Sequence, residues 1–230
     1  YQAIWHDNLA FFGIILITFV STCIIGWNIG TKHPDLTSVI VSQGLMENVL
    51  EKNSWFEALN DDPLMGGFQI AWNNIMVSIN CFIGGALLGV GGLILMGFNG
   101  LSIGATMGFC YLNGFDRPLT EFVLAHGPLE LTIIVCAVFA SLLYGRAFFV
   151  WPPRGFRERI RAGGRDAGTV IVGVLPWLVL AGAVESFVSP NPAIPVVYKA
   201  SLGAIIATLF WLFTLVPVRL FYRRKLVRSR

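Results

Sequence analysis

Six stretches, each close to the length of about 20 mostly apolar residues that a helix needs to cross a bilayer, recur along this chain. They cover residues 9–29, 70–90, 93–113, 122–150, 167–188 and 197–216. No aqueous fold uses such runs one after another. Hydrophobic residues make up 55% and charged ones 13% of the 230, so the apolar surface exceeds what a soluble domain could bury, and lipid must be part of the solvent. Period-two alternation is absent, which argues against a membrane β-barrel. The expected fold is an all-α membrane protein, a single domain of about six transmembrane helices.

The first run is preceded by Trp5, an expected interfacial anchor, and followed by Lys32-His33-Pro34, where proline stops the helix. The chain opens on Tyr1, so residues are expected to precede it. No basic region with a cleavage site stands before residue 9, and the run reads as a span rather than a signal peptide. Residues 35–68 carry Asp35, Glu47, Glu51, Glu57, Asp61 and Asp62, with apolar residues at roughly helical spacing. An outer amphipathic helix on the membrane surface or across the bundle mouth is expected there. Only Gly91-Gly92 separates the second and third runs, which predicts a tight glycine-rich hairpin. The alternative turn, at Asn99-Gly100, would leave the third run short and re-entrant. Gly127-Pro128 interrupts the fourth run, and Pro176 is an expected kink in the fifth.

The net charge of +3 says less than its distribution. Arg146 stands near the end of the fourth run, and Arg154, Arg157, Arg159, Arg161 and Arg165 fall within the basic loop 151–166. Arg219, Arg223, Arg224, Lys225, Arg228 and Arg230 make the basic tail 217–230. With six spans both blocks lie on one side, and the positive-inside rule makes that side the cytoplasm, with the acidic 35–68 segment outside. The blocks are a topology signal that also meets anionic lipid, and no nucleic-acid partner is expected.

Polar residues inside the runs need a reason, because an ionisable group at the bilayer centre costs at least about 2.5 kcal/mol on insertion scales. His126 and Glu130 are four apart, Glu185 closes the fifth run, and Asn73 and Asn74 open the second. All five are expected at similar depth on the outer side. They can lock three helices by hydrogen bonds, or one imidazole and two carboxylates can relay protons or hold a divalent cation. The expectation is no cofactor, with His126, Glu130 and Glu185 the ligands if a metal binds. Asn80 and Asn99 could bond across the hairpin, and Arg146 is expected to snorkel. Gly85 and Gly89, then Gly100, Gly104 and Gly108, are spaced for close helix packing, with a sliding face or thin pore wall as the other reading. Cys23, Cys81, Cys110 and Cys136 lack metal-ligand spacing and read as small buried hydrophobes.

Taken in order, Asn73-Asn74, Asn99-Gly100-x-x-x-Gly104, His126-Gly127-x-x-Glu130-Leu131 and Glu185-x-Phe187-x-Ser189-Pro190 resemble the stage II sporulation protein M family over about residues 70–190. The resemblance implies a multi-spanning prokaryotic membrane protein and marks His126, Glu130 and Glu185 as motif residues. It also implies what the family's namesake does in endospore formers, anchoring a complex whose other members remodel peptidoglycan. Many relatives occur in organisms that do not sporulate.

Three functions are compatible with these residues. The leading one is a non-enzymatic membrane scaffold or assembly component of a cell-envelope complex in the cytoplasmic membrane, with other membrane or envelope proteins as partners and self-association as a further option. The second is a transporter or channel using the His/Glu cluster. The third is an intramembrane enzyme with these residues as metal ligands.

Overall fold

The computed structural model describes residues 4, 5, 7–149 and 155–215. Among them the regular structure is helical: α1 (Leu9–Lys32), α2 (Pro34–Ile40), α3 (Gln43–Leu50), a 3-10 turn (Trp55–Asn60), α4 (Pro63–Ile83), a second 3-10 turn (Gly84–Ala86), α5 (Val90–Leu112), α6 (Asp116–Val123), α7 (Gly127–Phe149), α8 (Phe156–Phe187) and α9 (Val196–Leu215). Five of these, α1, α5, α7, α8 and α9, are long and apolar enough to cross a membrane. The 21-residue α4 is diluted by Gln69, Asn73, Asn74 and Asn80. The outward faces are apolar: Ile17, Val39, Val172, Val179 and Val197 are all exposed, a surface suited to lipid for those on the long helices.

The axis of the bundle is α7. Cys136, Ala137, Val138, Phe139 and Ala140 are each 0% exposed, so this helix is surrounded on all sides. It packs most extensively on α8, and also touches α4, α5, α9 and α1. Trp5 stacks on Phe139 at 4.0 Å between ring centroids and is fully buried, so it is a core residue and not the interfacial anchor its position implies.

The glycine ridge of α5 faces α1. A Cβ at Gly100, Gly104 or Gly108 would meet the α1 backbone at Phe19, Cys23 or Trp27, and one at Gly26 or Gly30 would meet Leu101 or Ala105. Residue numbers rise together on both helices, so α1 and α5 run parallel with interlocked small residues. The pattern marks the ridge in α5 but not its partner, since Gly26-x-x-x-Gly30 on α1 completes it.

Gly85 and Gly89 do not share a helical ridge. They lie in the reversal between α4 and α5, where Leu88 (φ 57°) and Gly89 (φ 84°) take left-handed conformations. The reversal is therefore at 84–89, one turn before the expected Gly91-Gly92, which belong to the start of α5; Asn99-Gly100 lies mid-helix. This segment nests on small residues of α7. Ser141 Oγ lies 3.4 Å from Gly89 O, and a Cβ at Gly145 would strike the Leu88–Gly89 backbone.

The expected single amphipathic helix at 35–68 is two short helices and a 3-10 turn, ended by Asp62, which caps α4 through Met65 N (3.1 Å) ahead of Pro63 at the first helical turn. Val49 and Phe56 join Phe109, Cys110, Phe115 and Leu119 in a second small core, which seats this cap on the C-terminal end of α5 and on α6. The expected 122–150 span is split in the same way. Pro128 sits in the first turn of α7, where its missing N–H costs nothing, and α6 is a separate helix. The basic segment 156–166 is helical rather than a loop: α8 starts at Phe156, and Arg157, Arg161 and Arg165 are exposed on its first turns. The rest of the expected loop, with Arg154, and the 217–230 tail lie outside the described residues.

Candidate functional site

His126 stands just ahead of α7, and its carbonyl accepts from the backbone N–H groups of Leu129 (3.0 Å) and Glu130 (3.1 Å). The first turn of α7 thus delivers Glu130 beside it. The helix α8 is antiparallel to α7 and returns Glu185, in its last turn, to the same height. His126 Nε2 lies 3.9 Å from Glu130 Oε2 and 3.8 Å from Glu185 Oε1. From α4, Asn74 Nδ2 donates a hydrogen bond to Glu130 Oε1. His126 and Glu185 are buried, at 4% and 8% exposure.

Four of the five expected members, His126, Glu130, Glu185 and Asn74, therefore converge. Asn73 does not join them: it is exposed, about 100° around α4 from Asn74. Neither hairpin asparagine bridges helices among the described contacts. Asn99 Nδ2 donates to Leu95 O of its own helix (2.9 Å), and Asn80 is exposed. Arg146 at the other end of α7 is exposed, bonds Asn8 Oδ1 and lies over the Phe11 ring. Cys81, Cys110 and Cys136 are buried and Cys23 is half-buried, all as free thiols.

Two residues extend the site beyond expectation. His126 Nδ1 is 2.7 Å from Ser189 Oγ, and Lys199 Nζ of α9 donates to Ser189 O at 2.6 Å. Ser189 lies in the motif run 185–190 but has no charge to mark it. Lys199 was findable as the one lysine of an otherwise apolar run 196–215. Above the site, Phe56 of the cap stacks on Phe122 (4.6 Å), whose ring meets the His126 imidazole edge-on at 5.1 Å. Asn60 Nδ2 of the cap also donates to Pro190 O (3.1 Å). The cap covers the cluster.

The electrostatics are uneven. Glu130 in the first turn of α7 is favoured by the positive end of the helix dipole, whereas Glu185 sits at the negative end of α8. Two charged carboxylates whose oxygens lie within 4.8 Å of each other repel by about 3–4 kcal/mol at an effective dielectric of about 20. A proton or a cation must offset this. One donor atom from each of His126, Glu130 and Glu185 lies within 4.8 Å of the others, so the three could share one metal ion.

Fold and site together define a polytopic α-helical membrane protein with a largely buried polar cluster at one end of its bundle. The family model for "Stage II sporulation protein M" matches residues 14–190, and the chain belongs to that family. No curated protein and no solved structure matches the chain significantly.

Proposed function

We propose that the chain is a membrane scaffold or assembly component of a cell-envelope complex. In this reading it sits in a prokaryotic cytoplasmic membrane with α4 as a sixth crossing. The basic ends of α7 and α8 face the cytoplasm and the cap faces outward. One observation carries it: buried and half-buried groups bond to one another across helices, Asn74 to Glu130 and Lys199 to Ser189 to His126, tying α4, α7 and α9 beneath a packed cap. Such a network holds a fixed outer surface in place. On that surface Asp35, Glu47, Glu51, Glu57, Asp61 and Asp62 are exposed, an acidic rim for envelope partners of opposite charge. Family membership supports the same role. No reaction is assigned to the cluster.

The test is isolation of the protein from native membranes in lipid particles, followed by native mass spectrometry. A stoichiometric partner is expected, and a chain recovered only alone would overturn the reading. The second reading, a transporter or channel, is favoured by the burial of His126 and Glu185 beside α8, which contains Pro176. Liposome flux abolished by Glu130→Gln and by Glu185→Gln would establish it. Flux unaffected by either would remove it.

A further inference from the structure

His126 Nε2 faces a carboxylate from each of two helices at 3.8 and 3.9 Å, too long for direct hydrogen bonds. Donors held at about 2.0–2.2 Å from one tetrahedral ion stand about 3.3–3.6 Å apart, so the His126–carboxylate distances need close only slightly, and the three donors, within 4.8 Å of one another, by at most about 1.5 Å. Three further features point the same way. Glu185 Oε2, the oxygen beyond the Oε1 that faces His126, is buried and bonds no donor among the described residues, while the Glu185 and Glu130 carboxyls lie close enough to share one proton or one ion. The His126 Nδ1 contact with Ser189 Oγ fits the tautomer in which Nδ1–H donates and Nε2 presents its lone pair to the carboxylates. Asn74 holds Glu130 from outside the donor set, as residues behind metal ligands do.

We propose that this pocket binds one divalent transition-metal ion through His126 Nε2 and one carboxylate oxygen each from Glu130 and Glu185. An imidazole with two carboxylates suits ions of intermediate hardness such as Zn2+ or Mn2+, with a further position for water or an external donor. The two positive charges balance the two carboxylates and relieve the unfavourable placement of Glu185 at its helix end. The ion cross-links α7 to α8 and makes cap, cluster and bundle one unit. This goes beyond the scaffold reading and does not depend on it, because a transporter could hold the same ion.

The experiment uses the whole chain in lipid nanodiscs, stripped with chelator and titrated with Co2+, then with Zn2+ measured by elemental analysis after dialysis. One ion per chain is expected, with a visible d–d spectrum and no thiolate charge-transfer band. Glu185→Gln and Glu130→Gln should each weaken binding by more than about 100-fold, since changes behind the ligands alone reach 10–100-fold. His33→Ala, at an exposed histidine, should change nothing. A folded wild-type chain that retains no ion would overturn the proposal, and would leave a shared proton as the neutralising charge. So would a thiolate band, which places the metal on a cysteine, or undiminished binding in the folded Glu130→Gln, Glu185→Gln double variant. The wild-type results decide the matter even where a variant fails to fold.

Discussion

Gly104→Ala tests the packing of α1 on α5 with the smallest change a side chain can make. The new Cβ would lie 2.9 Å from the Cys23 carbonyl carbon and from the Trp27 nitrogen, and closer still to the Cys23 carbonyl oxygen. These are backbone atoms of a helix, with no rotamer to yield. The helices must separate by at least about 0.5 Å, and a gap of 0.5–1 Å forfeits a quarter to a half of each contact's dispersion energy along the seam. Overpacking of this kind costs about 1–3 kcal/mol. At about 2–4 °C per kcal/mol for a chain of this size, the midpoint should fall by roughly 2–12 °C. Cys81, Cys110 and Cys136 are buried, so a fluorogenic maleimide reports unfolding without an added label. Gly13→Ala and Gly168→Ala are the controls, because a Cβ at either has nothing within 4 Å, and they should be neutral or slightly stabilising. Adding Gly26→Ala to Gly104→Ala should cost less than the two separately, since the first substitution has already parted the seam. A Gly104→Ala midpoint equal to that of Gly168→Ala would refute the parallel α1–α5 seam.

Three further outcomes follow from single contacts. Asn74→Leu should destabilise by about 1–2 kcal/mol, because it leaves the Glu130 carboxylate short of a donor, while exposed Asn73→Leu should stay within about 0.5 kcal/mol; equal losses in thermal unfolding would misplace the face of α4. Gly145→Ala should cost about 1–3 kcal/mol in the same assay by pushing the Leu88–Gly89 reversal off α7, and a neutral result would remove that nesting. Ser189→Ala should leave the fold intact but weaken Co2+ binding by about 10–100-fold, and unchanged affinity would separate Ser189 from the orientation of His126.

The spans were legible because apolar length is a property of the chain alone: α1, α5, α7 and α9 lie within a few residues of their expected runs. What depends on a neighbour was not. The ridge Gly100, Gly104, Gly108 can be read from spacing, but its partner, α1, cannot. The basic stretch before α8 looks like a loop by charge, yet arginine is a good helix former and the helix simply continues outward from the apolar run. Between Asn73 and Asn74, a step of about 100° around α4 decides which one enters the cluster, and composition does not encode that phase. His126, Glu130 and Glu185 were legible because ionisable groups in apolar runs require partners. Ser189 was not, since a serine near a helix end is ordinary.

The scaffold role rests on which side of the membrane the cap faces. In a variant with its four cysteines replaced, Glu47→Cys on the cap and Arg161→Cys on the first turns of α8 place single exposed thiols at the two ends of the bundle. Intact cells are treated with a membrane-impermeant maleimide, and then the same cells after permeabilisation. The account predicts that the thiol at 47 is modified in intact cells and the thiol at 161 only once the membrane is opened. Modification of both from outside, or of 161 alone, would contradict it.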